Sequence, residues 1–291
     1  MKTRVISALA GVALLLVILT TFHSIAFNII ALIVYGISVF EIRSSFKDKN
    51  SDGVYFILMV IGAYFIMEPY MPRINPIIIA CFFMISYALT VVTGFHKIDF
   101  KTVSASMLFG FYVLIGYYSI LNMKTNMPYE QFGWDSTFMF VVCCTIAWGA
   151  DIFAYFAGYF FGKHKLAPTL SPKKTKEGAV GGLLGSVVLT WIFFILYWLV
   201  KPLVEGNGIK YVPNAKQFIL LAVLSLIGSV FSMFGDLFAS AIKRQVGIKD
   251  YGNIMPGHGG VLDRFDSVLL VSPIVSVFSA VVVARGGVFN V

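Results

Sequence analysis

The stretch from Leu221 to Asp266 reads "LAVLSLIGSVFSMFGDLFASAIKRQVGIKDYGNIMPGHGGVLDRFD". Up to Ile242 it carries a single charged side chain, Asp236; from Lys243 to Asp266 it carries seven. The apolar half, extended back to residue 218, is long enough to cross the hydrocarbon of a bilayer as a helix, which takes about 20 residues. The change of composition at Lys243 marks the point where the chain returns to water. Apolar run followed by charged loop is the pattern of the whole sequence, and it decides the fold class.

Nine apolar segments repeat that pattern, at 5–22, 25–40, 54–67, 74–93, 103–121, 138–161, 179–200, 218–242 and 267–284. The third is short and ends at "EPYMPR", so it tilts, re-enters or extends beyond those limits; the fourth has Pro76 in its first turn, where proline is tolerated. Only 12% of the 291 residues are charged, against 58% hydrophobic, and the mean hydropathy is +0.86. A soluble globular domain has about twice that share of charge. The expected architecture is therefore all-α, a polytopic integral membrane protein of about nine transmembrane helices in one integral domain. The N-terminus has the basic-then-apolar form of a signal peptide, but "TTFHS" offers no small-residue cleavage site, so a retained first helix is expected.

The formal net charge of +8 is read as a membrane property, with nucleic acid excluded as a partner. Lys and Arg accumulate in cytoplasmic loops beside anionic lipid. With nine spans, the side holding the N-terminus carries 16 of the 22 Lys and Arg residues and the opposite side 6. The N-terminus and the loops 162–178 and 243–266 are thus expected in the cytoplasm, in a multi-pass protein of the cell membrane. The three cysteines, Cys81, Cys143 and Cys144, lie in apolar runs without CxxC spacing, which supports neither a disulfide framework nor a zinc site.

Asp151 and Asp236 stand inside apolar segments, while the other acidic residues lie in loops or at segment edges. A carboxylate in the hydrocarbon is costly unless it faces a polar cavity or a partner. Ser229, Ser232, Asp236, Ser240 and Lys243 follow 3–4 spacing and share one helix face; Trp148, Asp151, Tyr155 and Gly158 make a similar face. Such stripes either lock helices together or line a site, as in an ion-coupled transporter.

Two loops supply charge to a site. In 162–178, "GKHKLAPTLSPKKTKEG", Lys173 and Lys174 with Ser171 and Thr175 suit an anion cradle. Glu177 then opens the next segment, where Gly178–Gly182 and Gly181–Gly185 are small-xxx-small pairs of the kind that pack helices. In 243–266, "PGHGG" offers backbone N–H groups to phosphate oxygens, and "DRFD" sets Asp263 and Asp266 three apart, on one face if helical. With Asp236, three carboxylates converge in this reading. Hard oxygen ligands suit Mg²⁺, which shares its shell with substrate phosphates. His258 is a phosphate contact or loop anchor, because no second His or Cys is near.

The 240–266 stretch closely resembles the signature of the phosphatidate cytidylyltransferase family, the CDP-diacylglycerol synthases. Ser240, Lys243, Arg244, Lys249, Asp250, Gly252, Pro256, His258, Gly259, Gly260, Asp263, Arg264 and Asp266 carry the match. Met255 departs where the family usually has Ile, Leu or Phe, a volume-conserving change. "DIFAYFAGYFFGKHKL" and "SPKKTKEG" resemble the family's second block, with Lys176 where tryptophan usually stands. Outside about 151–185 and 235–267 the likeness is only one of hydrophobic spans, and the compact length is similar to the bacterial branch.

The resemblance implies an enzyme, a nucleotidyltransferase of phospholipid biosynthesis that moves CMP from CTP to phosphatidic acid and releases pyrophosphate. It implies Mg²⁺, held by Asp236 and Asp263, and a second cation such as K⁺. Asp266 and Asp151 would support the site. Lys243, Arg244, Arg264 and the Gly259–Gly260 backbone would neutralise triphosphate charge. Ser171, Lys173, Lys174, Thr175, Glu177, Lys249 and His258 would contact substrate. Residues 1–137 would be N-terminal helices and 138–291 the catalytic helices and loops, in a chain that works in the lipid bilayer and forms a homodimer. The alternatives are a related CTP-dependent lipid kinase, or the transporter built on Asp151 and Asp236. The CDP-alcohol phosphotransferases are excluded because "DGxxAR" is absent.

Overall fold

A computed structural model describes residues 2–46, 52–205, 213–255 and 259–284. Ten α-helices follow in chain order: α1 Lys2–Thr21, α2 Ile25–Phe46, α3 Asp52–Met67, α4 Pro76–Thr93, α5 Phe100–Asn126, the short α6 Tyr129–Phe132, α7 Asp135–Phe161, α8 Lys176–Glu205, α9 Ala215–Gln245 and α10 Leu262–Ala284. A small hairpin, β1 Lys165–Ala167 with β2 Ser171–Thr175, stands between α7 and α8. Eight helices among the described residues are long and apolar enough to cross a membrane. They match the second to ninth expected segments. The first segment is helix α1, half of whose side chains lie outside the described residues.

The third span resolves as an extension. A 3₁₀ turn, Glu68–Tyr70, continues α3 to 19 residues. Other ends are sharp for local reasons. Asn75 accepts a hydrogen bond from Ile77 N at 2.9 Å and Pro76 takes the first helical position of α4, where its missing N–H is harmless. Asp99 accepts from the backbone and the hydroxyl of Thr102 at the start of α5, and these bonds hold its carboxyl below the usual carboxylate range.

The helices group into two units. One comprises Met1–Leu121 with Lys243–Phe265, the other Asn122–Ile242 with Asp266–Val291. Inside the first, α2 packs on α3 through Tyr35, which is fully buried and donates to Leu58 O at 2.9 Å. Asn28 donates to Ile66 O, and the Ser38 hydroxyl meets Tyr117 at 3.0 Å. Tyr35, Asn28 and Ser38 thus each find a partner, as a membrane interior requires.

In the second unit α7 and α8 run against each other along glycine. A Cβ on Gly178 would meet Ala154 O at 2.7 Å, and one on Gly182 would meet Ala150 O at 2.7 Å. One on Gly181 would strike Ala157 and one on Gly185 the Phe153 side chain. The small-xxx-small pairs therefore do the packing expected of them. At the far end Lys201 pairs with Asp135 at 2.7 Å, and Tyr197 donates to the same carboxylate oxygen. Lys201 and Asp135 are both buried, so Lys201 belongs to the helix interior and not to a loop. Gly182→Leu is expected to destabilise the protein by about 3 kcal/mol, the upper range of overpacking, because the obstacle is backbone. Thermal unfolding in detergent checks it; an unchanged midpoint would refute the close approach.

Candidate active site

The expected polar stripe on α9 faces inward. Ser229 and Ser232 are fully buried, and Ser232 donates to Ala147 O on α7 at 3.3 Å. One turn on, α7, α8, α9 and the hairpin surround a cavity of 580 Å³ lined by Asp151, Tyr155, Ser171, Lys173, Lys174 and Asp236 among others. The two intramembrane carboxylates and the basic loop, far apart in sequence, meet there. Lys174 forms an ion pair with Asp236, each side chain 24% exposed. Ser240 donates to Asp236 at 3.4 Å. Ser267 links Asp151 (3.0 Å) and Asp266, whose Oδ1 also accepts the Ser267 N–H at 2.8 Å.

The basic loop differs from the irregular cradle expected of it. β1 and β2 pair antiparallel, with Lys165 opposite Thr175 and Ala167 opposite Ser171. Alternation along a strand sends neighbours to opposite faces, so Lys174 turns to Asp236 while Lys173 is exposed. Two residues assigned to substrate are engaged by the protein itself. Thr175 is buried, accepts the Gly178 N–H at 3.1 Å as the cap of α8, and fills the space over Gly158 and Gly162. Glu177 accepts from Lys163 N and His164 N and sits 2.6 Å from His164 Nδ1, tying the hairpin base to α8.

The other unit holds the remaining charges. Lys243 Nζ lies 2.7 Å from Asp263 Oδ1 and 5.2 Å from the centre of the Tyr251 ring. Asp263 Oδ2 accepts from Tyr251 N at 2.8 Å and Gly260 N at 3.0 Å. The Gly260 N–H assigned to phosphate is therefore given to Asp263. Gly259 takes φ +84°, a left-handed conformation that glycine adopts without strain. Arg244, Lys249 and Arg264 are exposed. His258, with Pro256, lies outside the described residues. Asp263 and Asp266 do open α10 three residues apart. Among the described residues no three His, Cys, Asp or Glu side chains gather to hold a metal ion, so the expected convergence of three carboxylates is not seen within either unit.

One buried carboxylate escaped the sequence reading. Glu41, taken as an edge residue of the second segment, is 2% exposed inside α2 and accepts the backbone N–H groups of Val261 and Leu262. The only sequence signal was that the apolar run ends at residue 40 without a helix stop.

The sequence matches the profile of the Cytidylyltransferase family over residues 2–282. It is 29% identical over 281 residues to the phosphatidate cytidylyltransferase of Thermotoga maritima, covering 94% of both chains. Against the phosphatidate cytidylyltransferase of Staphylococcus saprophyticus it is 32% identical over 206 residues, 70% of this chain and 68% of the relative. Against that of Bacillus subtilis it is 44% identical over 144 residues, spanning 50% of this chain and about half (47%) of the relative's length.

Proposed function

Because the chain belongs to the cytidylyltransferase family, we propose that it transfers CMP from CTP to phosphatidic acid, giving CDP-diacylglycerol and pyrophosphate. The observation that carries the reading is the Lys174–Asp236 pair in a cavity walled by membrane-spanning helices. One substrate is a lipid in the bilayer, the other a polyanion from water, and a polar cavity among spans serves both. The transporter reading gains nothing from the family match, which lies with nucleotidyl transfer.

In this reading a phosphatidate phosphate oxygen attacks the α-phosphorus of CTP. The new P–O bond forms as the bond to the β-phosphate bridging oxygen breaks, and pyrophosphate leaves with that electron pair. The attacking oxygen is already anionic, so no strong base is needed. Lys174, Lys173 and the Ser171 hydroxyl gather phosphate oxygens, and Lys243, Arg244 and Arg264 offset triphosphate charge. Rate then comes from positioning and electrostatics.

Mg²⁺ is proposed at Asp236. The donor chemistry fits: Asp236 and Asp151 line one cavity and supply hard oxygens, which Mg²⁺ prefers while retaining water and phosphate ligands. When bound it would neutralise triphosphate charge. Asp263 is less ready, since Lys243 and two backbone N–H groups already occupy its oxygens; ligation there requires Lys243 to leave. A second cation such as K⁺, homodimer formation and the cytoplasmic placing of both charged loops belong to the same proposal, the last supported by the 16-to-6 distribution of Lys and Arg.

Purified protein in nanodiscs is expected to release pyrophosphate only when CTP, phosphatidate and Mg²⁺ are all present, with ATP or GTP failing to replace CTP. Release without phosphatidate, undiminished release in EDTA, or equal turnover of ATP overturns the reading.

A further inference from the structure

Glu41 is a buried carboxylate that the reaction as described does not use. It lies on α2, outside the two motif blocks at about 151–185 and 235–267. Its Oε1 accepts Val261 N at 2.8 Å and its Oε2 accepts Leu262 N at 2.9 Å, across 220 and 221 residues of sequence. Two glycines make room for it. A Cβ on Gly252 or on Gly260 would meet Glu41 Oε1 at 2.5 Å. One turn along α2, Ser45 donates to Glu41 O at 2.7 Å and approaches Tyr251 O at 3.5 Å.

Those contacts continue directly into the charged residues. The N–H groups of residues 260, 261 and 262 go in order to Asp263, Glu41 and Glu41. Asp263 also accepts from Tyr251 N and pairs with Lys243. Asp263 thus ties Tyr251 to Gly260, and Glu41 holds the backbone of the two residues that precede Asp263. A helix start is ordinarily capped by a short polar residue next to it. Using a distant, desolvated carboxylate for that purpose is expensive, and what it adds over a local cap is a fixed attachment of the segment to a rigid membrane helix.

We propose that Glu41 is a positioning residue: it anchors the backbone at Val261 and Leu262 to α2 and thereby sets the placement of Asp263 and Lys243. For its kinetic consequence the inference rests on the cytidylyl-transfer reading; the anchoring itself does not.

The test uses full-length Glu41→Gln, Glu41→Ala and Gly252→Ala proteins in nanodiscs. Gln keeps the size but presents an NH₂ to one of the two N–H groups. Gly252→Ala leaves Glu41 intact and pushes its carboxylate away. Glu41→Gln and Gly252→Ala are each expected to lower kcat about 100-fold, the effect of an ångström-scale misplacement, with KM for CTP within about threefold of wild type. Hydrogen exchange of the amides at 260–262 should rise at least about tenfold, with exchange in the rest of α2 unchanged. Glu41→Ala combined with Gly252→Ala should be no worse than Glu41→Ala alone, because both act through one carboxylate. The proposal is overturned if folded Glu41→Gln protein keeps wild-type kcat, if exchange at 260–262 does not change, or if the two losses multiply. Should wild-type protein release no pyrophosphate, the cytidylyl-transfer reading fails, and the exchange measurement alone decides the anchoring.

Discussion

Asp236→Asn is expected to leave a folded protein whose pyrophosphate release is about 1,000-fold below wild type, the loss typical of removing a preorganised electrostatic group. The amide has the shape of the carboxylate but lacks its charge. Asp236 sits inside α9, 24% exposed at a cavity shared with Asp151 and paired with Lys174. Removing its charge deletes the proposed anionic ligand for Mg²⁺ and leaves the Lys174 ammonium without its counter-charge. Ser240 still has an acceptor at this position, so the local helix should not change. The loss should persist at high Mg²⁺, because an amide oxygen is a poor substitute for an anionic ligand. Activity within tenfold of wild type at limiting Mg²⁺, in protein with an unchanged elution profile, would remove Asp236 from the metal site.

Asp151 and Asp236 were legible because a lone carboxylate in an apolar run has few cheap explanations, and each does line the cavity. The spans were legible from length and hydropathy for the same reason. Their ends were not, because polar residues continue a helix wherever nothing stops it. Lys243 and Arg244 remain in α9, and residues 41–46 remain in α2. The hairpin was hidden by its brevity and by Pro172 in β2, a residue that argues against strand. Thr175 and Glu177 looked like phosphate contacts because a cap and a ligand-binding side chain use the same donors and acceptors. A threonine three residues before Gly178, followed by an acidic first turn, was the available sign of a helix start. Glu41 was beyond reach: its partners lie 220 residues away, and no local pattern encodes a contact at that separation.

The hairpin geometry separates two lysines that composition treats alike. Lys174 is expected to matter for turnover and Lys173 for capture. Lys174→Gln removes a charge-assisted contact beside Asp236, in a place only 24% exposed, where such contacts are stronger than in water. It also leaves the largely buried Asp236 carboxylate without its counter-charge. A fall in kcat of about 100-fold follows, and Lys174→Arg should not restore it, because a planar fork does not replace a point charge in a fitted pair. Lys173 lies on the exposed side of the same strand at the cavity rim. Lys173→Gln should raise KM for CTP about threefold to tenfold with kcat nearly unchanged, as loss of uniform binding does. An exposed cation is screened when the Debye length shrinks to about 3 Å at 1 M salt. The Lys173 effect should therefore fade at high ionic strength, while the Lys174 effect should not. Steady-state kinetics of both variants at low and high salt, on correctly inserted protein, decides it. Equal losses in kcat for the two variants, equally sensitive to salt, would mean that the hairpin presents both lysines to substrate as one diffuse patch, and that the Lys174–Asp236 pair has no special part in the chemistry.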